Sequence, residues 1–475
     1  MRSTKIVCTI GPASREPETI DALVRAGMDV ARLNLAHGTH DEHGRSVAAL
    51  RAAAAGAGHP LALLADLAGP KVRVGALPTG TLDLEPGQRL TLAPEGDVAE
   101  GVVPVTYGAL GRDVRPGDTL LLSDGLLELS VDEVHGDRVV TTVAVGGPLS
   151  SFKGINVPTR SLSAPILSEK DLRDLEFALG QGVDFIAVSF VRAASDVETV
   201  RNAIEERDGD ASIVAKIEKH EALAEISGIV ESADAVMIAR GDLGVEIPLE
   251  SVPLVQKSLT RACNEAGKPV ITATQMLRSM VENARPTRAE VTDVANAILD
   301  GSDAVMLSEE TAIGERPAAA VRTMARIAEH TESGFPHETW PARYGGVREV
   351  GVEESVARAA CAMAEETGAA AIATFTESGS TTRRVAKYRP GRPVLALTAN
   401  ERTYRAMALV WGAIPLMTGE PADPEEMILR AAVLARESGL AAPGETVIVT
   451  AGLPIHVRGT TNLIRVVRVP GGGTA

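Results

Sequence analysis

The chain has 475 residues, 45% of them apolar and 23% charged, with 47 basic and 63 acidic side chains and a net charge of −16. That length exceeds what one hydrophobic core organises and calls for several domains. The lack of an eighteen-residue apolar run excludes a helical membrane span, and the negative balance argues against nucleic acid as a partner. Cys8, Cys263 and Cys361 are far apart, without metal-type spacing, and read as small buried apolar residues. With no signal-peptide pattern at the N-terminus, they predict a reducing, cytoplasmic setting.

In chain order, strands are predicted at 4–10, 29–35 and 61–66, with helices at 16–26 and 40–55 that end at Gly27 and at Gly56 and Gly58. From 71 to 164 the texture changes to short runs of Val, Leu and Thr broken by Pro86-Gly87, Pro116-Gly117 and Asp124-Gly125, the pattern of an inserted all-β domain. The βα rhythm resumes at Ser168, whose spacing to Asp171 fits a helix N-cap. Strands follow at 184–189, 212–217, 235–240, 269–274 and 303–308. Three strands before the insert and five after it make eight, and eight parallel βα units close into a (β/α)8 TIM barrel. A doubly wound open sheet is the alternative, disfavoured by the lack of a Gly-rich dinucleotide fingerprint. A helix at 316–330 and a Pro-containing linker, 335–341, lead to a third region whose strands at 370–375, 393–398, 414–417, 445–450 and 463–469 make a C-terminal α/β domain. The predicted division is 1–70 and 165–341 for the barrel, 71–164 for a β-barrel lid and 342–475 for the C-terminal domain.

Ligands bind at the carboxyl ends of such strands. The second strand ends in Arg32, Asn34 and His37, the third in Asp66 with Lys71 and Arg73 just beyond, and the fifth in Lys216 and Glu218. The sixth ends in Arg240, Gly241 and Asp242, the seventh in Thr274 and Gln275, and the eighth in Ser308 and Glu310. Two carboxylates, Glu218 and Asp242, suit a hard divalent cation such as Mg2+. Lys216 beside them is placed to stabilise developing negative charge. Amide N–H groups at Gly241 and Asp242 open the next segment and can hold a carboxylate. An arginine, a lysine and two carboxylates together match a metal-assisted phosphoryl-transfer site.

Val214-Ala-Lys-Ile-Glu-Lys-His-Glu-Ala-Leu223 resembles the signature of the pyruvate kinase family. So do Thr4-Lys-Ile-Val-Cys-Thr-Ile-Gly-Pro-Ala-Ser14, Ala31-Arg-Leu-Asn-Leu-Ala-His-Gly38, Ala239-Arg-Gly-Asp-Leu-Gly-Val-Glu246, Ala273-Thr-Gln-Met-Leu277 and Arg285-Pro-Thr-Arg-Ala-Glu290. The resemblance covers nearly the whole length. It implies a barrel with an inserted lid and a C-terminal regulatory domain, assembled as a homotetramer, that transfers the phosphoryl group of phosphoenolpyruvate to ADP and gives pyruvate and ATP in the last step of glycolysis. It implies that Glu218 and Asp242 hold Mg2+ (or Mn2+) and that a second Mg2+ arrives with the nucleotide. Lys216 would neutralise the phosphoryl group and the enolate, Arg32 and Arg73 would hold phosphate oxygens, and Gly241, Asp242 and Thr274 would orient the substrate carboxylate. Asn34, His37, Arg73 and Lys153 would line the nucleotide channel. For protonation of the enolate carbon it leaves Thr274, Ser308 and Glu310 open, acting through water. Glu309 stands where relatives often have a small residue, and it is expected to face solvent.

Two further expectations follow from the resemblance. Potassium-dependent members place a Ser after the second strand and a Thr, a Lys and a Glu around the end of the third. Here Asn34 and Asp66 remain, but Ala36, Leu67, Ala68 and Lys71 stand at those positions. The ammonium of Lys71 would substitute for K+, so K+ is not required. In the C-terminal domain, Phe375 to Arg384 supplies hydroxyls and N–H groups between a strand and a helix, an anion site. It corresponds to the family's effector loop, with Thr376, Ser378, Ser380 and Thr381 as ligands. Glu377 would oppose a doubly phosphorylated sugar, which leaves AMP or a sugar monophosphate. A barrel lyase or aldolase acting on pyruvate-like substrates, and a non-catalytic metabolite sensor, are the competing classes.

Overall fold

The computed structural model describes residues 2–58, 60–96, 101–344, 350–454 and 460–471. Eight parallel strands close into a barrel: β1 (Lys5–Ile10), β2 (Val30–Asn34), β3 (Ala62–Asp66), β4 (Phe185–Val188), β5 (Ser212–Ile217), β6 (Ala235–Ala239), β7 (Val270–Ala273) and β8 (Ala304–Leu307). The open-sheet alternative is excluded by pairing of β1 with both β2 and β8. Every strand is buried on both faces by the helices outside and the packed lumen inside, which is why each reads as a continuous apolar run.

Alternation along the strands sorts the side chains. Val7, Val30, Ala62, Leu64, Ala187, Val214, Met237, Ala273 and Met306 fill the lumen. Ile6, Ala31, Leu63, Ile186, Ile213 and Val305 pack outward under the helices. Two residues beyond each lumen residue the side chain points inward again. That step reaches Arg32 after Val30, Asp66 after Leu64, Ser189 after Ala187, Lys216 after Val214 and Ser308 after Met306. The polar rim is thus the top layer of the lumen.

The predicted helices form, the second running on through Gly56 to Ala57. Helix Pro17–Ala26 ends at Gly27, helix His40–Ala57 ends at Gly58, and Ser168 accepts from the Asp171 amide in a capping box. The insert is a β domain whose Arg73 and Val74 bridge to Gly154 and Val105, linking the two edges of its main sheet. Its described strands form a six-stranded sheet and a separate two-stranded sheet, with a one-turn helix at Leu110–Asp113. The C-terminal sheet contains β9 (Ala371–Phe375), β10 (Val394–Thr398), β11 (Ala413–Met417), β12 (Thr446–Gly452) and β13 (Thr461–Arg468) in the order β11-β10-β9-β12-β13. Only the β12–β13 pair is antiparallel.

The segment expected to be a linker is instead packed. Phe335 and Trp340 are buried, and both stack at a tilt in an aromatic cluster with His337 and Trp411. Arg389, fully buried, lies over the Trp411 ring and pairs with Asp303 at 3.0 Å. Ala408 and Leu409 of the C-terminal domain join the luminal cluster from the closed end of the barrel. Aromatic burial at these positions welds the third domain to the barrel base.

Candidate active site

Lys216 is the hub of the rim. Its Nζ lies 2.9 Å from Glu218 Oε1 and 3.2 Å from Asp66 Oδ1, and it donates to Ser189 Oγ at 2.7 Å. Arg32 Nε donates to the other Asp66 oxygen at 2.7 Å, and its Nη1 to Thr9 Oγ1 at 3.0 Å. Lys216, Asp66 and Glu218 are each at least nine-tenths buried. Burial favours neutral forms, and the ion pairs oppose it. Burial pulls the Lys216 ammonium down, but Asp66 and Glu218 hold it above the usual lysine value. Burial likewise raises the Asp66 carboxyl, yet Lys216 and Arg32 bring it below the usual range. Glu218 moves the other way: burial and the nearby Asp242 carboxylate push it up against the pull of Lys216. Its second oxygen accepts the Phe190 amide at 2.9 Å.

Asp242 sits in the short helix Arg240–Glu246 that follows β6. Lys71, expected to bring its ammonium near the monovalent-cation site, makes its ion pair with Asp242, Nζ to Oδ1 at 3.0 Å. Asp66 pairs with Arg32 and Lys216. Asn34 Oδ1 accepts the Ala36 amide, and the Leu67 amide belongs to the barrel ladder, donating to Ala187 O.

Thr274 and Gln275 both have positive φ, +75° and +57°. A β-branched residue at such a φ is strained and persists only when its surroundings hold it. Arg240 does so: its guanidinium donates to the carbonyls of Ala273 at 3.1 Å and Thr274 at 2.7 Å while pairing with Asp293 at 2.7 Å. The turn also needs Gly241, because a Cβ there would stand 2.7 Å from Thr274 Cγ2.

Ser308 and Thr274 keep hydroxyls without a partner among the described residues. Glu310 does not remain available. It is buried, and its two oxygens accept the amides of Leu277 and Ser308. It therefore fixes the loops that carry Thr274 and Ser308. Glu309 is half exposed and pairs with Arg278.

Arg73 donates to Phe152 O at 3.1 Å, on the lid side of the cleft next to the exposed Lys153. Partial burial, then Arg73, Arg32, Lys170 and Lys71, lower the His37 imidazole below its ordinary value. Those cations thus lie close enough to act on one imidazole. The lid is tied to the barrel by Asn156, which donates to Glu246 Oε1 at 2.8 Å, and the same oxygen pairs with Lys219 at 2.7 Å. The sequence reading gave β4 no rim group and passed over Ser189, Phe190 and the locking role of Arg240. The signal for Ser189 was its place as the first polar residue after the apolar run 185–188.

The loop after β9 lines a cavity of about 80 Å3 with Thr376, Ser378, Ser380 and Thr381. Thr376 Oγ1 is buried without a partner among the described residues, and Thr381 shares a hydrogen bond with Thr461 at 2.7 Å. Glu377 and Glu420 face the same cavity.

A parallel eight-stranded barrel whose carboxyl rim centres on a buried lysine, two arginines and paired carboxylates is that of a phosphotransferase. The family model "Pyruvate kinase, barrel domain" matches residues 1–321, and "Pyruvate kinase, alpha/beta domain" matches residues 354–467. The chain belongs to the pyruvate kinase family. It is 46% identical to a pyruvate kinase of Geobacillus stearothermophilus over 98% of this chain and 80% of that one. It is 45% identical to a pyruvate kinase of Corynebacterium glutamicum over 98% and 97% of the two chains. A crystal structure of a pyruvate kinase from Cryptosporidium parvum superimposes with a TM-score of 0.93 at 37% identity, covering 99% of this chain and 96% of that one. Among the described residues, no helix is long and apolar enough to cross a membrane.

Proposed function

We propose that the chain transfers the phosphoryl group of phosphoenolpyruvate to ADP, forming pyruvate and ATP as the last step of glycolysis in the cytoplasm. The observation that carries this reading is Lys216 held charged in the buried rim between Asp66 and Glu218. Phosphoryl transfer is mostly positioning and charge neutralisation. Arg32 holds phosphate oxygens. The Thr274 hydroxyl and the first amides of helix 240–246, which have no intrahelical acceptor, orient the substrate carboxylate. The bond from phosphorus to the enol oxygen breaks as a β-phosphate oxygen of ADP attacks. The ammonium of Lys216 offsets the charge left on the enolate. Thr274 or Ser308 then delivers a proton to carbon through water, with Glu310 as a positioning group. Asn34, His37, Arg73 and Lys153 line the nucleotide channel.

Glu218 and Asp242 fit a divalent cation. They are hard oxygen donors close enough that Asp242 raises Glu218, and Asp242 Oδ2 has no partner among the described residues. Mg2+ or Mn2+ bound there supplies Lewis-acid neutralisation of substrate oxygens. Lys71 keeps a fixed positive charge in the cleft, which supports activity without K+. The division into barrel (1–70, 165–341), lid (71–164) and C-terminal domain (342–475) goes with this reading. So does a homotetramer, for which the exposed Leu249 and Leu254 offer apolar surface. The cavity around Thr376, Ser378, Ser380 and Thr381 would take a phosphorylated effector, and the two glutamates facing it favour AMP or a sugar monophosphate.

One coupled assay tests the reading: pyruvate formed from phosphoenolpyruvate with and without ADP. Strict dependence on ADP is expected. Pyruvate released at equal rates without ADP would point to a lyase, and none under either condition to a sensor.

A further inference from the structure

A second polar cavity, of about 270 Å3, lies on the far side of the 377–383 loop, against the amino-terminal ends of β5 and β6. Three guanidinium groups line it: Arg201 and Arg402, and Arg383 from the loop's own helix. Two of them are neutralised. Arg201 pairs with Asp234 at 3.3 Å and Arg402 with Asp210 at 3.0 Å. Arg383 has no carboxylate partner among the described residues. Its hydrogen bond goes to the Ser378 carbonyl at 3.2 Å. Burial lowers its guanidinium below the ordinary value, with Asp234 only partly offsetting this. The three guanidinium groups thus outnumber the two carboxylates of the cavity, and the Lys268 ammonium nearby, which Asp234 also attracts, bonds the carbonyls of Glu231 and Ala233. An enclosed guanidinium with spare donors is costly unless an anion meets it, and guanidinium forks match a tetrahedral oxyanion.

We infer that this cavity binds the phosphoryl group of a small metabolite, between Arg383 and Arg402. Its volume, at the small end for ligand pockets, limits the ligand to a few carbons beyond the phosphate. The site is distinct from the cavity on the other face of the loop and does not rest on any effector assigned there. It is wired to that loop all the same. Arg383 holds Ser378 O, and Thr403, beside Arg402, donates to Glu377 O at 2.8 Å. It also abuts the catalytic strands: Arg402 Nη2 donates to Ser212 Oγ at 3.3 Å, at the start of β5, whose other end carries Lys216.

The test has a crystallographic arm and a solution arm. In crystals soaked with tungstate, a phosphate mimic, an anomalous peak is expected within hydrogen-bond reach of both guanidinium groups. In solution, inorganic phosphate at constant ionic strength should raise the melting temperature saturably. That response should survive Ser380→Ala with Thr381→Val, which disables the other cavity, and fall by at least half in Arg402→Gln and in Arg383→Gln. Glycerol 3-phosphate acting at a tenfold lower concentration than inorganic phosphate would mark an ester as the ligand, and equal potency would mark free phosphate. Tungstate bound elsewhere but not here overturns the site. So does a phosphate response identical in wild type and both arginine variants, which would make any crystal peak an adventitious ion only.

Discussion

Arg240 holds Thr274 in its strained conformation: the guanidinium donates to the Thr274 carbonyl at 2.7 Å while φ of Thr274 stands at +75°. The Thr274 turn is thus set by a side chain from the start of the helix that follows β6. Arg240→Lys removes the fork that spans Ala273 and Thr274, and Gly241→Ala drives a methyl into Thr274 Cγ2. Each is expected to lower kcat/KM for phosphoenolpyruvate by roughly 10- to 100-fold, the cost of a displacement near 1 Å. Circular dichroism should stay near wild type. Steady-state kinetics that match wild type in both variants would show that the turn needs no lock.

Lys216→Met should cut kcat by roughly 10²–10⁴, about 3–5 kcal/mol at the barrier. It also strips Glu218 of its ion partner in a buried rim, and a stability loss of about 3 kcal/mol is expected. Mn2+ should restore part of that loss by taking over Glu218. Calorimetry with and without Mn2+ measures it. A variant retaining a third of the wild-type kcat would sink the role given to Lys216.

Mn2+ titrated into Asp242→Asn and followed by electron spin resonance should bind at least tenfold more weakly than in wild type, because half of the charged donor set is gone. Unchanged affinity would place the cation elsewhere.

Lys71 carries its charge into the cleft by pairing with Asp242 at 3.0 Å. A unit charge near 4 Å is worth roughly 4 kcal/mol at an effective dielectric of 20, enough to stand in for a bound monovalent ion. The enzyme should show the same kcat with a bulky organic cation as with KCl. Lys71→Glu should lose activity without K+ and regain it when K+ is added. Severalfold activation of the unmodified protein by K+ would refute this.

His37 offers a pH test. Burial and the surrounding cations hold its folded value below the ordinary 6.5. Below that pH the unfolded chain takes up a proton that the folded chain refuses, so stability falls on acidification and is unaffected above it. His37→Gln should flatten that slope. An NMR titration should place the free-protein midpoint below 6.5, and added ADP should raise it through its phosphates. A midpoint above 6.5 without nucleotide would remove His37 from the cationic channel.

The sequence by itself determined the strands, and with them the rim. Apolar runs ending in charged residues mark where each chain segment emerges, and a period of two says that Arg32, Asp66 and Lys216 continue the inward-facing set. It also set the all-β texture of the insert and the caps at Ser168 and Gly27. The pairing of those groups was decided only by the tertiary structure. Asp66 and Lys216 are 150 residues apart, and Lys71 and Asp242 are 171 apart. Such contacts depend on how the barrel closes and where the lid docks, which no local pattern encodes. That is why the pairing of Lys71 with Asp242 and the two backbone amides held by Glu310 are not read from local pattern, and why the Phe335–Trp340 segment was expected to be a linker and is found in a core. Burial rewards whichever charge or ring meets its partner in three dimensions, and closure of the barrel fixes who meets whom.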